Sequence, residues 1–253
     1  MMAMRSPRLT CRLTWSNMVS GPSGLGTTLL SFSALSANSF SVDSGFFMRT
    51  ILSLLLLVLG LFSNTADAAE PPVLLILGDS LSAGYGMDKN DSWVHLLDLR
   101  LQESGFSYRI LNSSISGDTT QGGLARLPRL MERYQPKIVI IELGGNDGLR
   151  GIDPDVTRAN MTEMIRLSQQ GGAKVLLAGI KLPPNYGEDY LQRFESIYPD
   201  LAREFDTLLV PFFMDGVVFV PGRLQADGIH PNEDGQPVLL ENVWKVLAPA
   251  LQP

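Results

Sequence analysis

The sequence is short of cysteine and histidine. Its 253 residues include one cysteine, Cys11, and two histidines, His95 and His230. One cysteine cannot form an intrachain disulfide. With only three Cys and His residues in total, the sequence also has no cluster that could form a thiolate or imidazole metal site. Because Cys11 lies in a segment that we expect to be absent from the mature protein, a cysteine nucleophile is excluded too. We therefore expect neither a metal nor an organic cofactor.

Basic residues are also in the minority. The chain has 20 Lys and Arg against 26 Asp and Glu, which gives a net charge of -6. This balance argues against nucleic acid as the main partner, because phosphate binding needs a concentrated basic surface. Apolar residues make up 45% of the chain and charged residues 18%, a composition typical of a globular protein with a sizeable core.

Residues 48–68 have the pattern of a secretory signal peptide. A short basic start at 48–50 precedes an apolar run at 51–62 and the sequence Ala-Asp-Ala at 66–68. The run is shorter than the roughly 20 residues that a membrane-spanning helix needs. We expect cleavage before Ala69 and export to the periplasm without a stable membrane anchor. An uncleaved anchor is the alternative.

The segment before the signal peptide is harder to reconcile with export. Signal peptides begin at the N-terminus, whereas 47 residues precede Met48 here. We interpret residues 1–47 as an upstream extension that was assigned in error, and residues 69–253 as one domain. We find no internal repeat and no low-complexity linker in that domain. A small acidic domain of this kind is expected to be a monomer.

After residue 72, short apolar runs alternate with amphipathic stretches. This alternation predicts an α/β fold: a three-layer α/β/α sandwich with helices on both faces of a central parallel sheet. We predict strands at 73–77, 108–111, 138–141, 174–180 and 208–211. We predict helices after a cap at Asn90 or Asp91, at 122–135 with a break or bend at Pro128, from Pro154, at 189–205 and at 234–251.

Four segments place reactive or hydrogen-bonding groups just after predicted strands, where the sites of open parallel sheets form. Ser80 follows the first strand in Gly-Asp-Ser, and its hydroxyl can act as a nucleophile. Gly117 follows the second strand, and its N–H can face a developing oxyanion. Asn146 follows the third strand and can donate a further bond. Each residue taken alone is more often an ordinary turn or cap residue.

The fourth segment supplies a base. His230 lies in a glycine-containing loop three residues after Asp227, close enough for the carboxylate to orient the imidazole. His95, in contrast, lies in the amphipathic pattern of a helix and is interpreted as a helix-face residue. A glycine-rich phosphate site at Gly78 is an alternative interpretation, but no Lys or Arg follows within that loop to bind phosphate.

Together the four segments resemble the four motif blocks of the GDSL or SGNH hydrolase superfamily. The blocks contribute Ser, Gly, Asn and His, which correspond here to Ser80, Gly117, Asn146 and His230, with Asp227 in the D-x-x-H motif. The segments LLILGDSLSAGYGM, NSSISGDTTQGGLARLP, ELGGNDGLRG, LPPNYG and DGIHPN are similar to one branch in particular, the bacterial periplasmic multifunctional enzymes with thioesterase, lysophospholipase and arylesterase activities.

This resemblance implies a flavodoxin-like sheet of five parallel strands with an acyl groove along its edge. It implies a Ser80–His230–Asp227 triad and an oxyanion hole formed by the Ser80 and Gly117 N–H groups and the Asn146 side chain. It also implies a mobile loop at 149–152 and an apolar substrate wall formed by Leu149, Ile152, Ile180, Leu182 and Pro183.

The sequence therefore predicts a serine esterase or thioesterase that acts on small acyl esters and acyl thioesters such as acyl-CoA, lysophospholipids and aryl esters. Two alternatives remain. A carbohydrate O-acetylesterase would share the triad but need a polar pocket for a short acyl group. A noncatalytic lipid-binding protein would share the groove but would not need all three triad residues.

Overall fold

In the computed structural model, the described residues are Gly45, Met48, Arg49 and residues 70–252. Spatial contacts divide the chain into two units, Met1–Ala66 and Asp67–Pro253. In the first unit, the three described residues are helical and exposed. The predicted upstream extension and almost all of the predicted signal peptide lie outside the described residues, as does Cys11.

The second unit contains five strands and seven helices of four residues or more. The strands are β1 (Val73–Gly78), β2 (Arg109–Asn112), β3 (Ile138–Glu142), β4 (Lys174–Ala178) and β5 (Leu208–Val210). The helices are α1 (Ser80–Ala83), α2 (Trp93–Glu103), α3 (Thr120–Tyr134), α4 (Gly145–Leu149), α5 (Pro154–Gln170), α6 (Glu188–Phe205) and α7 (Gln236–Leu247). Short 3-10 turns lie at Lys89–Asp91, Pro184–Tyr186 and Ala248–Ala250.

The five strands form one parallel sheet in the order β2-β1-β3-β4-β5. Leu75 lies between Leu111 of β2 and Val139 of β3, and Val139 in turn pairs with Val175 of β4. Helices α2 and α7 pack against each other, and α5 packs against both α3 and α6. The predicted three-layer α/β/α sandwich with a flavodoxin-like sheet is therefore confirmed.

The central strands explain why the sheet is stable without a disulfide. Every residue of β1 and β3 is buried, as expected when helices cover both faces of a parallel sheet. Trp93 and Phe213 are fully buried, with ring centroids 5.4 Å apart in an edge-on arrangement. Burying such side chains stabilises a fold by about 1.5–3 kcal/mol each.

Some predicted element boundaries were wrong. The cap of α2 is Ser92, whose Oγ accepts the His95 N–H, whereas Asn90 and Asp91 belong to the preceding 3-10 turn. Helix α3 runs through Pro128 without a break, although proline removes one backbone donor from the helix; the bend stays a prediction. Strand β4 ends at Ala178 and not at Ile180, and the next N–H, that of Gly179, donates to the Val210 carbonyl at 2.8 Å.

The last predicted helix was also too long. It begins at Gln236, and its final residues form the 3-10 turn Ala248–Ala250. None of these shifts moves a predicted site residue away from the carboxyl edge of the sheet. Among the described residues, no helix is both long enough and apolar enough to cross a membrane.

Candidate active site

Ser80 is the first residue of helix α1, and only Asp79 separates it from the end of β1. Asp79 caps α1, and its Oδ1 accepts the Leu81 N–H at 3.0 Å. A Cβ atom at Gly78 would lie 2.8 Å from Glu142 Oε2, so the last strand position accepts only glycine. The Ser80 N–H, in the first turn of α1, has no partner within the helix. The strand-to-helix turn thus presents both the Ser80 hydroxyl and its N–H beyond the edge of the sheet.

The predicted triad is assembled. His230 Nε2 lies 2.8 Å from Ser80 Oγ, and His230 Nδ1 lies 2.6 Å from Asp227 Oδ2. Ser80 and His230 are 150 residues apart in the chain, so the fold, not local sequence, brings them together. With the Nδ1 proton donated to the carboxylate, Nε2 is free to accept the serine proton.

Asp227 is held in place by backbone donors as well as by the imidazole. Its Oδ1 accepts the N–H groups of Ile229 at 2.9 Å and His230 at 3.0 Å. The bond from the Ile229 N–H, followed by those from the His230 ring and N–H, lowers the pKa of Asp227 from 3.8 to about 2. The carboxylate is therefore ionised over the whole neutral range and can stabilise a protonated imidazole.

Gly117 lies in a tight turn after β2. The Asp118 N–H donates to the Ile115 carbonyl at 3.0 Å, and Gly117 has a φ of 78°, the pattern of a type II turn with glycine at its third position. The turn bond uses the Asp118 N–H and leaves the Gly117 N–H outside it. The Ile115 N–H donates to the Gly78 carbonyl at 3.1 Å, which ties this turn to the end of β1.

Asn146 belongs to the short helix α4. Its Nδ2 donates to Asp79 Oδ2 at 2.9 Å, next to the nucleophile. An amide nitrogen carries two hydrogens, so one remains for a substrate oxygen. At Gly144 the φ is 110°, and a Cβ atom would lie 2.3 Å from the Tyr198 hydroxyl. The paired glycines before Asn146 thus allow β3 to turn abruptly into α4.

Two acidic residues that sequence reasoning missed lie beneath Ser80. Asp79 is 2% exposed and Glu142 is fully buried. Glu142 Oε2 accepts the Ser82 hydroxyl at 2.7 Å and the Asp79 N–H at 3.3 Å. Burial raises the pKa of Asp79 from 3.8 to about 6. Burial, and then the nearby Asp79 charge, raise the pKa of Glu142 well above 4.5. Both shifts favour the protonated form of these buried acids.

The residues predicted to line the substrate wall differ in exposure. Ile180 is 6% exposed and Leu182 is 9% exposed, and both belong to the hydrophobic core. Leu149 and Pro183 are exposed, and Ile152 is half-buried. Helix α4 lies against this buried pair. A Cβ atom at Gly148 would lie 2.5 Å from Leu182, so glycine makes room there, whereas one at Gly145 would make an ordinary contact with Ile180 at 3.9 Å.

The loop at 149–152 is bonded on two sides. The Arg150 guanidinium donates to the Gly117 carbonyl at 2.8 Å. On the other side, the Tyr186 hydroxyl donates to the Leu149 carbonyl at 2.9 Å, and the Tyr190 hydroxyl donates to the Ile152 carbonyl at 2.7 Å. The loop thus connects the Gly117 turn with the segment that begins α6. Its predicted mobility stays a prediction.

Tyr85 also contacts the triad, although sequence reasoning did not single it out. Its ring centroid lies 4.5 Å from that of His230, with the planes tilted by 39°, and the side chain is half exposed. His95 lies on α2 as predicted. It contributes to a surface cavity of about 680 Å³ beside β2, which contains no triad residue and no predicted substrate-wall residue.

Comparisons with known proteins agree with this geometry. A profile of the GDSL-like Lipase/Acylhydrolase family matches residues 76–238. Esterase TesA of Pseudomonas aeruginosa is 50% identical over 204 residues, which cover 81% of this chain and 100% of that protein. Thioesterase 1/protease 1/lysophospholipase L1 of Escherichia coli K12 is 48% identical and covers 73% of this chain and 88% of that protein.

A solved structure extends the likeness to three dimensions. The crystal structure of TesA superimposes with a TM-score of 0.69 at 53% identity, covering 71% of this chain and 99% of that chain. The family profile begins in β1 and ends in α7. The family predicted from four short motifs is confirmed: the chain belongs to the GDSL-like lipase/acylhydrolase family.

Proposed function

We propose that the chain is a serine hydrolase of acyl esters and acyl thioesters, and that Ser80, His230 and Asp227 form its catalytic triad. The observation that carries this proposal is the unbroken line of contacts from Asp227 Oδ2 through the imidazole to Ser80 Oγ, at 2.6 and 2.8 Å. Relatives named esterase and thioesterase/lysophospholipase support the same substrate class.

In the first half of the reaction, His230 takes the proton of Ser80 as Oγ attacks the acyl carbonyl carbon. The carbonyl oxygen becomes an oxyanion, which we assign to three donors: the Ser80 N–H, the Gly117 N–H and the second Nδ2 hydrogen of Asn146. Such donors stabilise the transition state because they are oriented before charge develops. Asp227 stabilises the imidazolium, which then protonates the leaving alcohol or thiol.

In the second half, water attacks the acyl-enzyme. His230 removes a proton from that water, the tetrahedral intermediate forms against the same donors, and its collapse returns the proton to Ser80 and releases the acid. All proton transfers use one imidazole, so these side chains suffice for both steps.

The substrate wall is assigned to Leu149, Ile152, Ile180, Leu182 and Pro183. Ile180 lies near Gly145 and Leu182 near Gly148, on either side of Asn146 in α4. We assign the three more exposed residues to the same apolar strip. An apolar strip next to the oxyanion donors favours substrates with an alkyl chain over acetylated sugars. The enzyme is assigned as a monomer that acts on small-molecule substrates.

We also assign export to the periplasm, with a signal peptide at 48–68 and a mature domain at 69–253. The basic start, apolar run and Ala-Asp-Ala sequence support this assignment. N-terminal sequencing of the exported protein should give Ala69 first. A mature chain that retains residues from 1–47 would contradict it.

The test of the activity is a comparison of wild-type protein with Ser80→Ala on esters and CoA thioesters of short, medium and long acyl chains. We expect hydrolysis of medium or long chains by the wild type and a loss of at least about 10⁴-fold in the variant. Hydrolysis of acetyl esters alone would favour the carbohydrate esterase. Equal inactivity of both proteins, with retained binding of a fatty acid, would favour the lipid-binding alternative.

A further inference from the structure

The side chain of Arg126, on α3, bonds three chain segments that meet beside Ser80. Its Nη2 and Nε atoms donate to Asp118 Oδ2 at 2.8 and 3.0 Å. Its Nη1 atom donates to the Ser113 hydroxyl at 2.8 Å and also to the Ser113 carbonyl. Nη2 further donates to the Gly78 carbonyl at 3.4 Å. One planar guanidinium thus joins the end of β1, the segment after β2 and the Gly117 turn.

The contact with Asp118 bears directly on Gly117, its neighbour in the chain. The Asp118 N–H closes the turn, and Asp118 Oδ1 accepts the Thr119 N–H at 3.0 Å. The carboxylate is therefore bonded to the backbone through one oxygen and to Arg126 through the other. Helix α3 has a glycine where this carboxylate lies, since a Cβ atom at Gly122 would be 1.9 Å from Asp118 Oδ1.

The contact with Gly78 bears on the nucleophile. The Gly78 carbonyl accepts both the Ile115 N–H, at 3.1 Å, and Arg126 Nη2. Gly78 lies two residues before Ser80, and Ile115 lies two residues before Gly117. Arg126 therefore bonds the acceptor of this contact, Gly78, and also bonds Ser113 and Asp118 on either side of Ile115.

We propose that Arg126 is a positioning residue that fixes the Gly117 turn against the Ser80 turn, so that both N–H groups face one oxyanion. This inference rests on the proposed acyl hydrolase function and adds a residue to it. The guanidinium acts through its geometry, because its charge is compensated by Asp118 and both side chains are mostly buried, at 20% and 13% exposed. Lysine carries the same charge but cannot donate in a fixed plane to three groups.

The experiment compares Arg126→Gln and Arg126→Lys with wild-type protein. For Arg126→Gln we expect kcat to fall about 10- to 100-fold, in line with the cost of misplaced transition-state donors, and KM to change by less than about threefold. Arg126→Lys should recover only part of this loss. Full activity in the lysine variant would overturn the proposal, because charge alone would then suffice.

A matched control uses Arg100, which forms an ion pair with Glu241 at 2.7 Å. Arg100 lies in the last turn of α2, at the end of the sheet opposite to Ser80. Urea unfolding should give a smaller stability loss for Arg100→Gln, whose ion pair is more exposed, than for Arg126→Gln, and only the latter should lose activity. Equal kinetic losses in both variants would reduce Arg126 to an ordinary stabilising ion pair and overturn the proposal.

Inhibition by an alkyl boronic acid distinguishes a positioning role of Arg126 from a purely stabilising one. The boronic acid forms a tetrahedral adduct with the serine and so reports on the oxyanion donors. We expect its inhibition constant to rise in Arg126→Gln by about the factor by which kcat falls. Asp118→Asn removes the ion pair with Arg126 from the other side and is the second variant if Arg126→Gln folds poorly. Its inhibition constant should likewise rise by about the factor by which its kcat falls. An unchanged inhibition constant would overturn the proposal.

Failure of this inference can be told apart from failure of the proposed function. If wild type and Ser80→Ala hydrolyse the substrates equally, the proposed function fails and the positioning role with it. If Ser80→Ala is inactive while Arg126→Gln retains wild-type kcat, only the positioning role fails.

Discussion

Two pairs of side chains flank Ser80: Asp227 with His230 on the outer side, and the buried Asp79 with Glu142 on the inner side. The pKa values of their carboxyl groups are shifted in opposite directions. On the outer side, the exposed Asp227 has its pKa lowered to about 2. On the inner side, burial raises the pKa of Asp79 to about 6 and that of Glu142 well above 4.5. The outer acid has His230 as its partner, whereas the inner pair has only neutral donors and each other.

The difference shows that a carboxyl group can serve two purposes close to Ser80, depending on its surroundings. A carboxylate that accepts two backbone N–H groups remains charged and can stabilise an imidazolium. A carboxyl group that is buried without a cation beside it has its pKa raised instead, because an unpaired buried charge is costly. In the proposed reaction Asp227 would therefore contribute charge, whereas Glu142 forms a hydrogen-bonded support under the Ser80 turn.

The largest effect that this comparison predicts is that of Asp227→Asn on turnover. Asparagine keeps an oxygen for the Ile229 and His230 N–H groups, so the loop should keep its conformation. Its NH₂ group cannot accept the His230 Nδ1 proton, which forces the wrong tautomer on the imidazole. We expect kcat to fall about 10⁴-fold while the urea unfolding midpoint changes little. A fall of less than about tenfold would contradict the role of this carboxylate.

The next effect concerns Asn146, which connects the buried acids to the oxyanion donors. Asn146→Ala removes one donor, so kcat should fall about 10²- to 10³-fold with little change in KM. It also removes the bond to Asp79 Oδ2, which helps to keep that pKa from rising further. Asn146→Asp, of similar size, is the control and should be no more active. Unchanged turnover in Asn146→Ala would remove this residue from the oxyanion site.

A smaller effect is expected on the pH dependence of stability. Because Glu142 has a raised pKa in the folded state, the folded protein binds more protons than the unfolded chain above about pH 4.5. The stabilising contribution of protonated Glu142 is fully present below the pKa that this residue has in the unfolded chain. As pH rises from there towards its pKa in the folded protein, the free energy of unfolding falls by up to about 1.4 kcal/mol per pH unit. Glu142→Gln keeps acceptors for Ser82 and Asp79 but cannot ionise.

The measurement is urea unfolding of wild type and Glu142→Gln from about pH 5 to pH 8. Asp79 titrates in both proteins, so the difference between the curves reports on Glu142 and on its interaction with Asp79. The stability of the wild type should decline relative to that of the variant as pH rises. Parallel curves would mean that Glu142 is ionised in the folded protein, and the contrast with Asp227 would disappear.

The sequence predicted the fold and the family well because both follow from local patterns. Apolar runs such as 138–141 and the motif around Ser80 are readable in a few consecutive residues. The buried acid pair was missed because Asp79 and Glu142 are 63 residues apart, and burial depends on the assembled sheet. The one available signal was an acidic residue at the end of the apolar run of β3.

The contacts of Arg126 were missed for the same physical reason. Its partners Gly78 and Ser113 lie 48 and 13 residues away in the chain, and an arginine in an amphipathic helix looks like any solvated residue. Element boundaries failed where one side chain decides, as at Ser92, which caps α2 in preference to Asn90 or Asp91. The triad and oxyanion assignments remain predictions, and the variants above test them.

The smallest predicted effect concerns the aromatic contact on the exposed side of Ser80. Tyr85 lies against the His230 ring, with centroids 4.5 Å apart, and an aromatic pair of this kind contributes about 0.5–1.5 kcal/mol. If the contact restrains the imidazole, Tyr85→Ala should lower kcat by about two- to tenfold, far less than Asp227→Asn. Tyr85→Phe keeps the ring and should retain full activity. Measured kcat values that fall equally in both variants would show that the hydroxyl, not the ring, is what His230 needs.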